Sequence, residues 1–134
     1  AGHIQVGERA FVSGGVVVHQ FVRIGELVMV AGLARVSADV PPFFTAEGNN
    51  RCLGVNIVGL RRAEFTSAER DEIRQAFRLL YRSNLPFPEA VARLSQTVQT
   101  GPGQRLMDFL QQPSKRGFMG GRRGPDHDQN DHAA

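Results

Sequence analysis

Hydrophobic positions in the first forty residues recur neither every second residue nor along a helical stripe. They recur every sixth. Val6, Val12, Val18, Ile24, Val30 and Val36 are all β-branched. Two residues before each stand Ile4, Ala10, Val16, Val22, Val28 and Ala34, aliphatic or small. One residue after each stand Gly7, Ser13, His19, Gly25, Ala31 and Ser37, mostly small. A hexapeptide period is the signature of a parallel β-helix. Each unit predicts a short strand and a corner, with the branched residue inward and the small one allowing the turn. Three units close one triangular coil of about 18 residues, so each strand pairs with its copy in the next coil, about 4.8 Å away. A Val-rich β-sandwich would show period two and frequent turns, and neither is present.

Residues 1–42 hold about two coils, near the smallest number a stacked array tolerates. The first coil is expected to leave three strand edges unpaired, and bare edges invite aggregation. Nothing in the stretch AGHIQVGERA supplies a cap, so further coils before Ala1 are expected. The repeat stops at Val40-Pro41-Pro42, because proline donates nothing to a ladder. Residues 43–65 are expected to form an irregular connection.

Helical spacing takes over from there. Thr66-Ser67-Ala68-Glu69 reads as a capping box, and Ile73, Ala76, Phe77, Leu80 and Tyr81 share one face. Burying Phe77 and Leu80 should contribute about 1.5–3 kcal/mol each. Asn84-Leu85-Pro86 ends this helix. Pro88 suits the first position of a second, which places Val91, Leu94 and Val98 on one side. Gly101-Pro102-Gly103 is expected to break it before a third, shorter helix carrying Leu106, Phe109 and Leu110. Residues 66–112 therefore predict a small α-helical domain. Residues 113–134 are polar and glycine-rich, and a disordered tail is expected. His127 and His132, with Asp126, Asp128 and Asp131, could hold a metal there, but a solvated tail is the preferred reading.

The totals narrow the function classes. A chain of 134 residues has room for one domain, or one with an appendage. The net charge of +3, with no Trp and one Tyr, suits an anionic small ligand or an acidic protein partner better than long nucleic acid. The single Cys52 excludes an internal disulfide framework and fits a reducing, cytoplasmic compartment. No apolar run approaches the roughly 20 residues of a membrane span, and AGHIQVGERA lacks the pattern of a signal peptide.

The coil carrying AGH, HQF, DVPP, GN, GVN and GLRR, followed by a small helical domain, resembles the acyl-[acyl-carrier-protein]–UDP-N-acetylglucosamine O-acyltransferase family from Ala1 to about Met119. The resemblance implies a homotrimer of left-handed parallel β-helices, an exception to the right-handed crossover rule. It implies active sites between neighbouring subunits, no cofactor, and no bound metal. The implied reaction moves a 3-hydroxyacyl group from acyl carrier protein to the 3-hydroxyl of UDP-N-acetylglucosamine, the first step of lipid A biosynthesis.

Carried over position by position, the resemblance implies that the backbone N–H of Gly2 stabilises the oxyanion, a contribution of about 2.7–4 kcal/mol. It implies that His3, His19 and Gln20 line the substrate cleft, and that Gly32 sets acyl-chain length. It implies that Asn56 and Arg62 bind the nucleotide sugar. Arginine suits a diphosphate because its fork makes charge-assisted, often bidentate bonds. Gly2 and Gly32 also read as ordinary corner glycines, and Arg61-Arg62 as a basic surface pair. His19 and Gln20 follow the inward Val18, so they fall at a corner and can face outward. Val58 stands where the family often has an acid and Ala63 where it usually has a further Arg; both bear on nucleotide binding. The family's general-base histidine lies about one coil before His3 and has no counterpart here. A positioned base contributes about 10²–10⁴-fold, so the chain alone is expected to be nearly inactive. Three competing readings remain: a related UDP-acylglucosamine N-acyltransferase, a zinc enzyme of the γ-carbonic anhydrase type, and a non-catalytic trimerising or nucleotide-binding piece. The zinc site requires three convergent imidazoles, and only His3 and His19 lie in the coils.

Overall fold

A computed structural model describes residues 2–121 of the chain. Six two-residue strands make the coils: β1 (Gln5–Val6), β2 (Phe11–Val12), β3 (Val17–Val18), β4 (Arg23–Ile24), β5 (Met29–Val30) and β6 (Arg35–Val36). They pair in parallel as β1–β4, β2–β5 and β3–β6, with Gln5 opposite Arg23, Phe11 opposite Met29 and Val17 opposite Arg35. Each partner is three hexapeptides away, as the period requires. Inside the second coil Val22, Ile24, Val28, Val30, Ala34 and Val36 are buried.

The corners work differently from the sequence expectation. The residues with positive φ are His3, Arg9, Gly15, Phe21, Leu27 and Leu33, again every sixth, and only one is glycine. Left-handed backbone costs an L-residue about 1–2 kcal/mol, so the ladder to the adjoining coil must impose it. The small residue after each inward position has another task. A Cβ on Gly7 would stand 2.5 Å from the backbone nitrogen of Glu26, and one on Gly25 would collide with Pro42. Small residues there let successive coils approach backbone to backbone.

Residues 43–65 are ordered rather than irregular. Strand β7 (Phe44–Glu47) continues the face of β5 in parallel, then turns back into β8 (Arg51–Val55), its antiparallel partner. Thr45 sits opposite Met29, two residues short of a full coil, an offset already present where Val40 bridges Ile24. Helix α1 (Ile57–Arg62) follows. Helix α2 (Ser67–Arg82) begins at the Thr66–Glu69 capping box and buries Ile73, Ala76, Phe77 and Leu80. Helix α3 spans Phe87–Leu94, so Pro88 is its second residue rather than its first. In helix α4 (Gly101–Gln111) the Gly-Pro-Gly run forms the first turn instead of a break. Thr100 caps it, Oγ1 accepting from the Gly103 N–H at 3.0 Å, and Glu72 supports the cap: its carboxylate accepts from the N–H groups of Gln99 (2.7 Å) and Thr100 (3.0 Å), and Gly103 leaves room for it.

The helices pack against the hairpin, where Phe77 meets Phe44 edge to face at 5.2 Å. One apolar cluster runs from the second coil through the hairpin to α4. The expected tail is partly ordered: strand β9 (Gly120–Gly121) pairs with β8, and Met119 is buried. His127, His132 and the neighbouring aspartates lie outside the described residues. No helix among the described residues is long and apolar enough to cross a membrane.

Candidate functional site

The coil has three corners, and the sequence-predicted residues divide among them. One corner carries His3, His19, Gln20 and Phe21. Because Phe21 lies one coil above His3, their rings stack at 5.6 Å and the Phe21 N–H donates to the His3 carbonyl at 2.8 Å. Lys115 places its Nζ 4.4 Å from the centre of the Phe21 ring, a cation–π contact. A cavity of about 410 Å³ opens here, bordered by His3, Gln5, Phe21, Arg23 and Lys115. Arg23 is buried and ion-paired to the fully buried Asp39, its Nε donating to Oδ2 at 2.9 Å. Its guanidinium also lies 4.0 Å from the Phe109 ring centre. Arg23 keeps one buried nitrogen, Nη2, without a hydrogen-bond partner, and Lys115 and His3 add an ammonium and an imidazole at the cavity. His19 is half-buried, with Nδ1 3.0 Å from Arg116 Nη2. Gln20 is exposed at the turn. Gly2 begins the same corner, and a Cβ there would meet nothing within 4 Å.

Gly32 sits at the second corner. A Cβ there would lie 3.7 Å from the Gly14 carbonyl oxygen, ordinary contact distance, and its φ is not positive. This chain's own packing therefore leaves room for a side chain at Gly32.

The third corner is covered by α1. Asn56 is its N-cap: Oδ1 accepts from the Gly59 N–H at 3.1 Å, and Nδ2 donates to the Leu27 carbonyl at 2.8 Å. The amide ties helix to coil, leaving one N–H and one lone pair for a ligand. Gly59 is required, since a Cβ there would strike the Asn56 amide. Arg61 and Arg62 are exposed in the last turn, and Val58 is exposed on the same helix. Ala63 borders a second cavity of about 540 Å³ with Glu8, Arg9, Glu26 and Arg105. Arg105 spans its rim, with Nε 2.7 Å from Glu26 Oε1.

Cys52 is chemically quiet. Burial pushes its thiol up to about 12, and burial likewise raises the neighbouring Tyr81 hydroxyl, so the reactive thiolate is suppressed. Among the described residues no group of three or more His, Cys, Asp and Glu is placed to hold a metal ion.

Sequence reasoning missed Lys115 and Arg116. Both fall in the polar stretch after Pro113, where no period marks them. Within one chain the structure brings His3, His19 and Gln20 together and leaves Gly32, Asn56 and Arg62 on other corners.

The comparisons with known proteins bear on what these corners do. Residues 39–119 match the model of the family described as UDP-N-acetylglucosamine O-acyltransferase, domain 2. An acyl-[acyl-carrier-protein]–UDP-N-acetylglucosamine O-acyltransferase of Gloeothece citriformis is 48% identical over 126 residues, covering 93% of this chain and 45% of the relative. The Synechocystis enzyme of the same name is 42% identical over the same shares. Among solved structures, the Francisella novicida UDP-N-acetylglucosamine acyltransferase matches with a TM-score of 0.83 at 30% identity, over 96% of this chain and 46% of that one. The Campylobacter jejuni enzyme matches at 0.80 and 34%, over 90% and 47%. The chain thus spans about half the length of the relatives it matches. On the family model and these identities together, the chain belongs to the UDP-N-acetylglucosamine O-acyltransferase family.

Proposed function

We propose that this chain supplies part of a cytoplasmic acyltransferase that moves a 3-hydroxyacyl group from acyl carrier protein to the 3-hydroxyl of UDP-N-acetylglucosamine, opening lipid A biosynthesis. The observation that carries this reading is the match of nearly the whole chain to relatives of that name. The corner geometry supports a division of labour. The corner with His3, His19 and Gln20 meets the sugar and the reacting carbonyl. The Gly2 N–H is the oxyanion donor, acting where charge develops in the transition state. Asn56 and Arg62, at the α1 corner, hold the nucleotide. Gly32, at the remaining corner, leaves space for the acyl chain.

No single chain closes these corners on one ligand, so the reading requires a neighbour. A homotrimer of left-handed coils presents the His3 corner of one copy to the α1 corner of the next. The acyl carrier protein, an acidic partner, suits the chain's net positive charge. The reaction also needs a general base to take the sugar hydroxyl proton, and neither His3 nor His19 occupies the family's position for it. The chain by itself therefore turns over little or nothing.

The test joins this chain to the preceding coils of the Gloeothece citriformis relative and assays the chimera with a 3-hydroxyacyl carrier protein thioester and UDP-N-acetylglucosamine. Turnover by the chimera and near-silence of the chain alone are expected. A folded, trimeric chimera without turnover overturns the acyltransferase reading. Arg62→Ala in the same chimera should raise KM for the sugar nucleotide more than it lowers kcat; an unchanged KM removes Arg62 from the nucleotide site.

A further inference from the structure

The corner that carries His3 and His19 is crossed by a strap, residues 113–119. Its attachment is over-determined. Ser114 Oγ donates to Asp39 Oδ2 at 2.6 Å. The Asp39 N–H donates to the Gly117 carbonyl at 2.8 Å, and the Met119 N–H returns to the Asp39 carbonyl at 2.7 Å. Phe118 stacks on Phe87 with ring centres 5.3 Å apart. From this fixed strap Arg116 reaches back to the corner. Its Nε donates to the Ser37 carbonyl at 2.9 Å, and its Nη2 stands 3.0 Å from His19 Nδ1.

A guanidinium is a donor only, and it keeps its proton in proteins. The nitrogen it meets must therefore offer a lone pair, so the ring proton of neutral His19 resides on Nε2. We propose that Arg116 is a positioning residue for His19, holding its imidazole as the Nε2–H tautomer so that it meets the substrate as a hydrogen-bond donor. The proposal rests on the reading that His19 faces the substrate. It specifies the chemistry of the atom His19 touches: a carbonyl, hydroxyl or phosphate oxygen that accepts. It also removes His19 from proton abstraction, since Nδ1 is occupied and Nε2 already carries its proton.

The experiment is two-bond proton–nitrogen NMR on the ligand-free full chain with ¹⁵N-labelled histidine, His19 being assigned by its loss in His19→Gln. Wild type is expected to show a single Nε2–H pattern for His19 at neutral pH. Arg116→Ala is expected to give a tautomer mixture with a shifted Nδ1 signal, at an unchanged melting temperature. Arg116→Lys keeps a donor and should retain the wild-type pattern. An Nδ1–H pattern in wild type, an alanine spectrum identical to wild type, or a lysine spectrum identical to alanine's overturns the proposal. The readout needs no substrate, so an inactive chimera would sink the acyltransferase reading without touching this result, and the reverse also holds.

Discussion

The first coil and the second carry one pattern and meet opposite environments. Val6 and Val12 occupy the same repeat positions as Ile24 and Val30, yet they are 55% and 38% exposed against 2% and 0%. Phe11 and Val17 are exposed as well. The second coil has a coil on one side and the hairpin, helices and strap on the other. Among the described residues the first has a neighbour on one side only. In a solenoid the hexapeptide sets which way a side chain points, while burial is conferred by the layer beyond it.

Mutations that depend on two-sided cover separate the coils most sharply. The second coil owns a buried ion pair, Arg23–Asp39, that also anchors the strap. Asp39→Ala strands a buried guanidinium and should cost about 3–5 kcal/mol, read by urea denaturation; a loss below about 1 kcal/mol would show that the strap and the cation–π contacts stabilise Arg23 unaided.

The direct comparison is Ile24→Ala against Val6→Ala. The first opens a cavity in a closed core and should cost about 2–5 kcal/mol, the second less than about 1 kcal/mol. Equal losses would mean that Val6 is covered in solution, for instance by a second copy, and sedimentation would then show the association.

Glycines sharpen the contrast. Gly25→Ala pushes a Cβ into the Pro42 backbone and should destabilise by about 1–3 kcal/mol. Gly14→Ala, in the first coil, meets nothing within 4 Å and has no positive φ. It should be neutral or stabilise by about 0.4–1 kcal/mol.

The gentlest probe is alkaline pH, which reports on the covered side alone through Cys52 in β8. Between pH 9.0 and about 12 an unfolded Cys52 has lost its proton while the folded one keeps it. The native state then binds more protons, so stability falls as pH rises through that window. Tyr81, also raised by burial, adds to the fall. Denaturation midpoints should drop above pH 9, and drop less steeply in Cys52→Ala when each protein is scaled to its own neutral value.

Much of this was legible beforehand. The six-residue period placed every coil strand, and Thr66 and Glu69 announced α2. The Asn56–Gly59 cap went unread, because Asn56 entered only as a nucleotide-binding residue implied by the resemblance. Residues 43–65 were misread because Phe43-Phe44 and Gly48-Asn49-Asn50 mark a hairpin only when β5 offers it an edge. The Gly-Pro-Gly run looked like a break because the local cap, Thr100 on the Gly103 N–H, went unread and Glu72, which supports that cap, is far away in sequence. The strap was illegible for the same reason: Ser114, Arg116 and Phe118 take their partners from Asp39, His19 and Phe87.

What the chain determined by itself is direction. Branched residues at every sixth position, small ones beside them and capping pairs act over a few residues, so local sterics and hydrogen bonding suffice to read them. What only the tertiary structure decided is occupancy: which coil is covered, which non-glycine corners are held in left-handed backbone, and which side chain reaches the His19 ring. Those outcomes depend on groups brought together from distant parts of the chain, and their free energies exist only after the layers have stacked.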